Sequence, residues 1–263
     1  MSKSSRRQIT PPIKVSQNFL TSTKLIEELI HKTTINSSDH VLEIGPGKGH
    51  ITRQLLKRCG RLTAVELDKG LYHKLLDSLV PSFNGRFSLV HSDFLQWKLP
   101  FKEEYKVFSN IPFCITTQIM KKLFIGNAYP HPPKEAWLIM EKGAAKRFLG
   151  EPNENSLSLT LKPLYRIKIV HHFRREDFHP CPSVDVVMLY VARKDSPDLS
   201  KGEWFHYKKY VDRCFTAGIR SAFTKNQYRT ALRMAKLPPD FVRGEVLYTQ
   251  WLCLFRCYAR YQL

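Results

Sequence analysis

The chain has 263 residues, 43% hydrophobic and 25% charged, the balance of a globular protein long enough for a large domain and a small one. No apolar stretch approaches the roughly 20 residues of a membrane-spanning helix. The basic opening runs into Gln8, Thr10, Pro11 and Pro12 rather than an apolar core, so no secretory signal is expected and the expected location is the cytoplasm. The 42 Lys and Arg against 23 Asp and Glu leave a net charge of +19, an excess suited to a polyanionic partner, with RNA or DNA first in line.

In chain order, residues 1–15 carry Lys3, Arg6, Arg7 and Lys14 without an acid and read as a basic mobile arm. A short helix is expected at 25–31. Strands and helices then alternate: strand 41–44, helix 51–58, strand 62–67, helix 71–79, strands 87–91 and 105–109, helix 116–124, strand 136–140 and helix 142–149. Such alternation predicts an α/β doubly wound sheet of parallel strands with helices on both faces. Two strand-like runs, 164–173 and 184–191, flank a loop with His179, Pro180 and Pro182 and are expected to close the sheet as an antiparallel pair. A polar linker follows Arg193, and beyond it apolar residues recur at helical spacing, which predicts a small all-helical C-terminal domain. From Arg193 onward 14 basic residues face 6 acidic ones. The six cysteines, Cys59, Cys114, Cys181, Cys214, Cys253 and Cys257, contain no CxxC, which favours reduced thiols packed as small hydrophobes over a zinc site.

The chemistry concentrates at strand ends. After the first long strand comes Glu43-Ile44-Gly45-Pro46-Gly47-Lys48-Gly49. Glycines at a strand-to-helix turn let the backbone approach a ligand and reach angles closed to other residues. The spacing is neither the dinucleotide G-x-G-x-x-G nor a phosphate loop, so pyrophosphate fits poorly; alone, the turn is compatible with a binding loop or a tight structural turn. Glu66 ends the next strand, where an acid accepts hydrogen bonds from ribose hydroxyls, and Asp93 follows the third, within reach of an adenine amino group. Asn110-Ile111-Pro112-Phe113 ends the fourth. An exocyclic adenine amine is a poor nucleophile because its lone pair is delocalised into the ring. Two acceptors, the Asn110 side-chain oxygen and the Ile111 carbonyl, can bind its N–H groups and draw the nitrogen towards a pyramidal geometry. Pro112 stiffens the turn without donating a hydrogen bond, and Phe113 offers a face for a base.

With these residues the sequence resembles the adenine-N6 methyltransferases that use S-adenosylmethionine, and more closely the ribosomal RNA adenine dimethyltransferases. Ser16-Gln17-Asn18-Phe19-Leu20, Glu141 to Leu149, Phe178-His179-Pro180 with Pro182 and Val184, and Phe223-Thr224-Lys225-Asn226-Gln227 are similar to the Erm family. Its members methylate large-subunit (23S) rRNA and confer resistance to macrolide, lincosamide and streptogramin B antibiotics. The resemblance runs from about Val15 to the C-terminus. It implies a Rossmann-like methyltransferase sheet with a helical appendage, divided into a basic arm 1–15, a catalytic domain 16–193 and a helical RNA-binding domain 194–263. It further implies that Asn18, Leu20, Gly45, Gly47, Glu66, Asp93 and Asn110 bind S-adenosylmethionine. Asn110, Ile111, Pro112, Phe113 and Phe178 would act on the target, with Phe113 and Phe178 sandwiching the flipped adenine, and no metal is implied. The expected partner is large-subunit rRNA, protein-free or in early assembly, met by a monomer. Cys114, where the family often has Asn, the basic arm and the 129–133 loop depart from the pattern. The rival readings are a small-subunit rRNA adenine dimethyltransferase, from which the Phe-Thr-Lys-Asn-Gln run separates this chain, and a non-enzymatic nucleic-acid-binding factor on the same fold.

Overall fold

The computed structural model describes residues 18–83, 85–99, 103–126 and 131–262; the basic arm, Ser16, Gln17 and part of the 129–133 loop lie outside them. The elements are β1 (Phe19–Leu20), α1 (Thr23–His31), β2 (His40–Ile44), α2 (His50–Arg58), β3 (Arg61–Glu66), α3 (Lys69–Leu79), β4 (Phe87–His91), β5 (Lys106–Asn110), α4 (Thr116–Phe124), β6 (Glu135–Glu141), α5 (Lys142–Leu149), α6 (Ser156–Leu161), β7 (Tyr165–His172), β8 (Phe178–His179), β9 (Val186–Arg193), α7 (Lys201–Ala217), α8 (Lys225–Ala235) and α9 (Tyr248–Gln262). Helix starts follow local chemistry. Ser22 caps α1 by accepting the Leu25 N–H at 3.3 Å, and Asp68 caps α3 by accepting those of Gly70 and Leu71 at 2.8 and 3.0 Å, each oxygen satisfying donors that a helix leaves unpaired.

The long strands form one sheet in the order β4-β3-β2-β5-β6-β9-β7. β2 pairs in parallel with β3 and β5, β3 with β4, and β5 with β6. Val41, Leu42, Val107, Phe108, Leu138 and Ile139 are fully buried, as strands covered on both faces require. β7 and β9 close the sheet antiparallel as expected: Phe173 donates to the Val186 carbonyl at 3.0 Å at one end, and Lys194 to the Leu164 carbonyl at 2.9 Å at the other. From β2 the chain steps outward through β3 to β4, then returns to β5 on the opposite side of β2. This reversal opens a crevice at the carboxyl ends of β2 and β5, the place where sheets of this kind bind ligands.

Three elements have no counterpart in the sequence reading. β1 and β8 form a separate antiparallel ladder, with Phe19 opposite His179 and Leu20 opposite Phe178, and α6 follows α5. The chain divides into two compact units: residues up to Lys142 with Val170–Leu189, and Gly143–Ile169 with Tyr190–Leu263. This grouping is interleaved rather than cut at 193, because α6 packs on α7 within the second unit: the Trp204 indole donates to the Thr160 carbonyl at 2.8 Å and Ser156 to Asp212 at 3.2 Å. Among the described residues no helix is long and apolar enough to cross a membrane. Cys59, Cys214 and Cys257 are buried free thiols, and Cys181 is exposed.

Candidate active site

The glycine turn between β2 and α2 holds Gly45, Gly47 and Gly49 at φ of +66°, +59° and +80°, a region that side chains with a Cβ avoid. The Gly45 N–H donates to the Val65 carbonyl of β3 at 2.9 Å. Glu66, almost fully buried, ties the turn down, its carboxylate accepting the Gly47 N–H at 3.0 Å on one oxygen and the Asp68 N–H at 2.8 Å on the other. A carboxylate has about four lone-pair sites, so each oxygen can take a further donor. A Cβ on Gly47 would come within 2.5 Å of Phe19 Cε1. β1 therefore lies directly against the glycine turn, with the Lys48 ammonium 5.0 Å from the centre of the same ring.

A cleft, part of it open to solvent, occupies the crevice. Its walls bring together Asn18, Gly45, Gly47, Glu66, Asp93, Asn110, Ile111, Pro112 and Phe113. Phe19, Leu67 and Phe94, not singled out from sequence, also line it; each adjoins a residue that was, so adjacency at a strand end is the signal that finds them. Asp93 shapes its own loop by accepting the Leu95 N–H at 2.8 Å. The Lys122 ammonium, 4.9 Å from the Phe94 ring centre, donates to the carbonyls of Phe94, Leu95 and Trp97, pinning that loop from α4.

Asn110 stands at the end of β5. Its amide nitrogen donates to the Asn18 carbonyl at 2.7 Å, which turns the side-chain oxygen the other way. That oxygen, Oδ1, is buried and has no hydrogen-bond partner among the described residues. Leaving a buried acceptor unpaired costs about 1–3 kcal/mol, and such orphans call for an explanation; an acceptor held ready for a ligand N–H supplies one. The Ile111 N–H is spent on the Ile139 carbonyl at 3.1 Å, and Pro112, at φ −61°, leads into a single 3-10 turn over Phe113–Ile115, which leaves the Phe113 ring half-buried on the cleft wall.

Leu20 and Phe178 are not brought into the cleft lining. Both are buried, they face each other across the β1–β8 ladder, and the Phe178 ring meets Phe173 edge to face at 5.2 Å. Beneath the turn lies Glu43, buried, with one carboxylate oxygen unpartnered. Burial pushes its carboxyl up to about 8; the Thr52 hydroxyl acts in the opposite direction and the nearby Glu66 charge in the same one. Among the described residues no group of three or more His, Cys, Asp or Glu is placed to hold a metal ion.

The family model for ribosomal RNA adenine dimethylase matches residues 12–253. The chain belongs to that family. It is 35% identical over 246 residues, 94% of this chain and 96% of the relative, to rRNA adenine N-6-methyltransferases of Limosilactobacillus reuteri and Escherichia coli. Among solved structures, that of the 23S rRNA methyltransferase ErmE matches with a TM-score of 0.79 and 26% identity, covering 92% of this chain and all of that one. A dimethyladenosine transferase from Plasmodium falciparum shares the fold, with a TM-score of 0.72 and 20% identity over 92% of this chain and 98% of that one. The expectation of an Erm-type, S-adenosylmethionine-dependent rRNA adenine N6-methyltransferase holds. The cleft suits a nucleoside-bearing cofactor: buried Glu66 retains acceptor capacity, and Asn110 keeps a buried acceptor unspent.

Proposed function

We propose that this methyltransferase acts on N6 of an adenosine in 23S rRNA and thereby gives its host resistance to macrolide, lincosamide and streptogramin B antibiotics, working as a monomer in the cytoplasm. The observation that carries the chemistry is the unpartnered Asn110 Oδ1. In this reading Oδ1 and the Ile111 carbonyl accept the two N–H groups of the target amine, which pulls its lone pair out of conjugation with the ring. Both acceptors also stabilise the positive charge that builds on that nitrogen, so catalysis is positioning and electrostatics. Glu66 receives the ribose hydroxyls of the cofactor. Asp93 receives its adenine amine, and Asn18, Gly45 and Gly47 form the floor. When bound, S-adenosylmethionine supplies a methyl group activated by a sulfonium. Phe113 gives the extruded base a stacking face; such enzymes take the target out of its stack because the amine is unreachable inside it. Phe178 completes the sandwich if its ring parts from Phe173, and Leu20 supports the cofactor site from β1.

The large-subunit assignment is supported by the likeness to ErmE over that whole chain and by the Phe-Thr-Lys-Asn-Gln run. The test is to offer the purified protein three RNAs: protein-free large-subunit rRNA, a hairpin carrying its target loop, and immature small subunits. Stops in primer extension, which dimethylation causes, then map the modified base. Stops at one large-subunit adenosine, with macrolide resistance in an expressing host, are expected. Paired stops confined to the small subunit would move the assignment to the small-subunit reaction.

A further inference from the structure

We infer that Cys253, Cys257 and Met234 form a three-sulfur site for a soft monovalent cation, Cu(I), between α8 and α9. The inference is independent of the reaction in the cleft. The two cysteines stand at i and i+4 on α9, a spacing that presents both side chains on one helical face. The Cys257 thiol donates to the Met234 thioether of α8 at 3.4 Å. Cys253 hydrogen-bonds the same thiol; burial first, and then this neighbour, push the Cys257 thiol above its ordinary range, with Arg260 opposing. The three sulfurs thus meet around Cys257. The two helices are also joined apart from them, the Gln250 amide donating to the Ala235 carbonyl at 3.2 Å, so Met234 is offered by a fixed neighbour rather than by a loop.

Packing as small hydrophobes accounts for buried Cys257 but not for its companions. Cys253 is half-buried and Met234 is 44% exposed in the last turn of α8, which leaves an ion a way in from solvent. A disulfide does not account for the pair either, because side chains four apart on a helix have Cβ atoms about 5–6 Å apart, whereas a disulfide brings them to about 3.5–4.5 Å. A bridging metal spans the wider gap without bending the helix. The donor set then chooses the metal. Structural zinc takes four ligands, from thiolate, imidazole and carboxylate, and among the described residues no third His, Cys, Asp or Glu joins the pair. Thiolate with thioether is the set that selects Cu(I). On binding, two Cys S–H bonds give way to two Cu–S bonds and both protons leave to water. Two thiolates and one Cu(I) then carry a single net negative charge, which Arg260, close enough to act on the Cys257 thiol, offsets.

The test loads the reduced full chain with Cu(I) without oxygen, in the presence of a chromogenic Cu(I) chelator that outcompetes single thiols. Copper retained per chain and melting temperature are then measured. The wild type should retain a single Cu(I), show an ultraviolet thiolate-to-copper charge-transfer band and melt higher with the ion than without it, since a ligand that binds only the folded chain stabilises it. Cys253→Ser should lose the ion, the band and the thermal gain. Met234→Leu removes the thioether but keeps an apolar side chain, and should cede its copper at a lower chelator concentration. Cys181→Ser, at an exposed thiol in the other unit, should behave as the wild type. No copper in the wild type, equal copper in Cys253→Ser, or Zn(II) held at these residues in preference to Cu(I) would each overturn the site. Unchanged affinity in Met234→Leu would strike out the third sulfur and with it the proposal. Should Cys253→Ser fail to fold, Met234→Leu, at an exposed position, still decides by the same chelator competition.

Discussion

Asn110 shows how one side chain divides its labour. The amide nitrogen is fixed to the Asn18 carbonyl and the oxygen is left for the substrate, so the residue acts as an oriented acceptor. Asn110→Ala removes both functions and should lower the single-turnover methylation rate at least about a hundredfold, the scale of deleting one aligned polar group at a reacting centre, with the melting temperature little changed. Asn110→Asp keeps an oxygen for the amine but sets a second one against the Asn18 carbonyl, and an intermediate rate is expected. A near-wild-type rate in the folded Ala variant would refute the amine-holding role. Phe178 poses the opposite question, because its 3% exposure and its contact with Phe173 describe a core ring while the family resemblance describes a stacking one. As a core ring, Phe178→Ala should cost about 3–5 kcal/mol of stability, read by urea denaturation. As a stacking ring it should cost about 1–3 kcal/mol of RNA affinity at little cost in stability, and Phe178→Tyr should recover most of that affinity. Measuring both quantities on the same two variants separates the roles.

At the level of elements, β2 and the turn after it carry a titration that the sequence does not announce. Glu43 stands in the strand as one more residue of an apolar run, and only the sheet's covered faces make it a buried acid, pushed up to about 8 from its ordinary 4.5. The folded chain therefore holds a proton that the unfolded chain releases between those two values. Stability from this group is present below about 4.5, declines as pH rises and is lost by about 8. Glu43→Gln cannot lose the proton, so its melting temperature should gain on the wild type steadily from pH 5 to pH 8 and run parallel above that; parallel curves throughout would clear Glu43 of the effect. Other elements were legible because their periodicity is long enough to read: β2 to β6 and their helices are apolar runs and amphipathic stretches bounded by turn residues. β1 and β8 are two residues each, too short for any period, and exist because Phe19 and Leu20 find His179 and Phe178 across some 160 positions of chain. The burial of Leu20 and Phe178 was invisible for the same reason. α6 reads Ser-Leu-Ser-Leu-Thr-Leu, a strand-like alternation; the Asn155–Ser158 capping box and packing on α7 make it a helix.

For the whole molecule, the strand ends that carry Gly45, Glu66, Asp93 and Asn110 could be placed from sequence because a doubly wound sheet delivers successive strand ends to one edge, whatever its side chains do in detail. How the chain divides into units could not, since that depends on which helix covers which. A linear reading cuts at 193, yet residues 143–169 group with the C-terminal helices, and Phe148, Leu159 and Leu161 in that segment are fully buried. Trp204 of α7 is itself buried and reaches the Thr160 carbonyl, so α7 is part of what keeps α6 dry. A chain ended at Arg193 would keep α5 and α6 but lose α7, α8 and α9, uncovering apolar side chains worth about 1.5–3 kcal/mol each when fully buried. Several such losses together match the 5–15 kcal/mol by which an ordinary domain is stable. The 1–193 fragment should therefore be aggregation-prone, bind an exposed-hydrophobe dye and show no cooperative melting transition, even though it contains every residue of the proposed active site. A soluble 1–193 fragment that melts cooperatively near the full-length temperature and binds S-adenosylmethionine would show instead that the helical layer is dispensable to the fold, and would restore the cut at 193 as a true domain boundary.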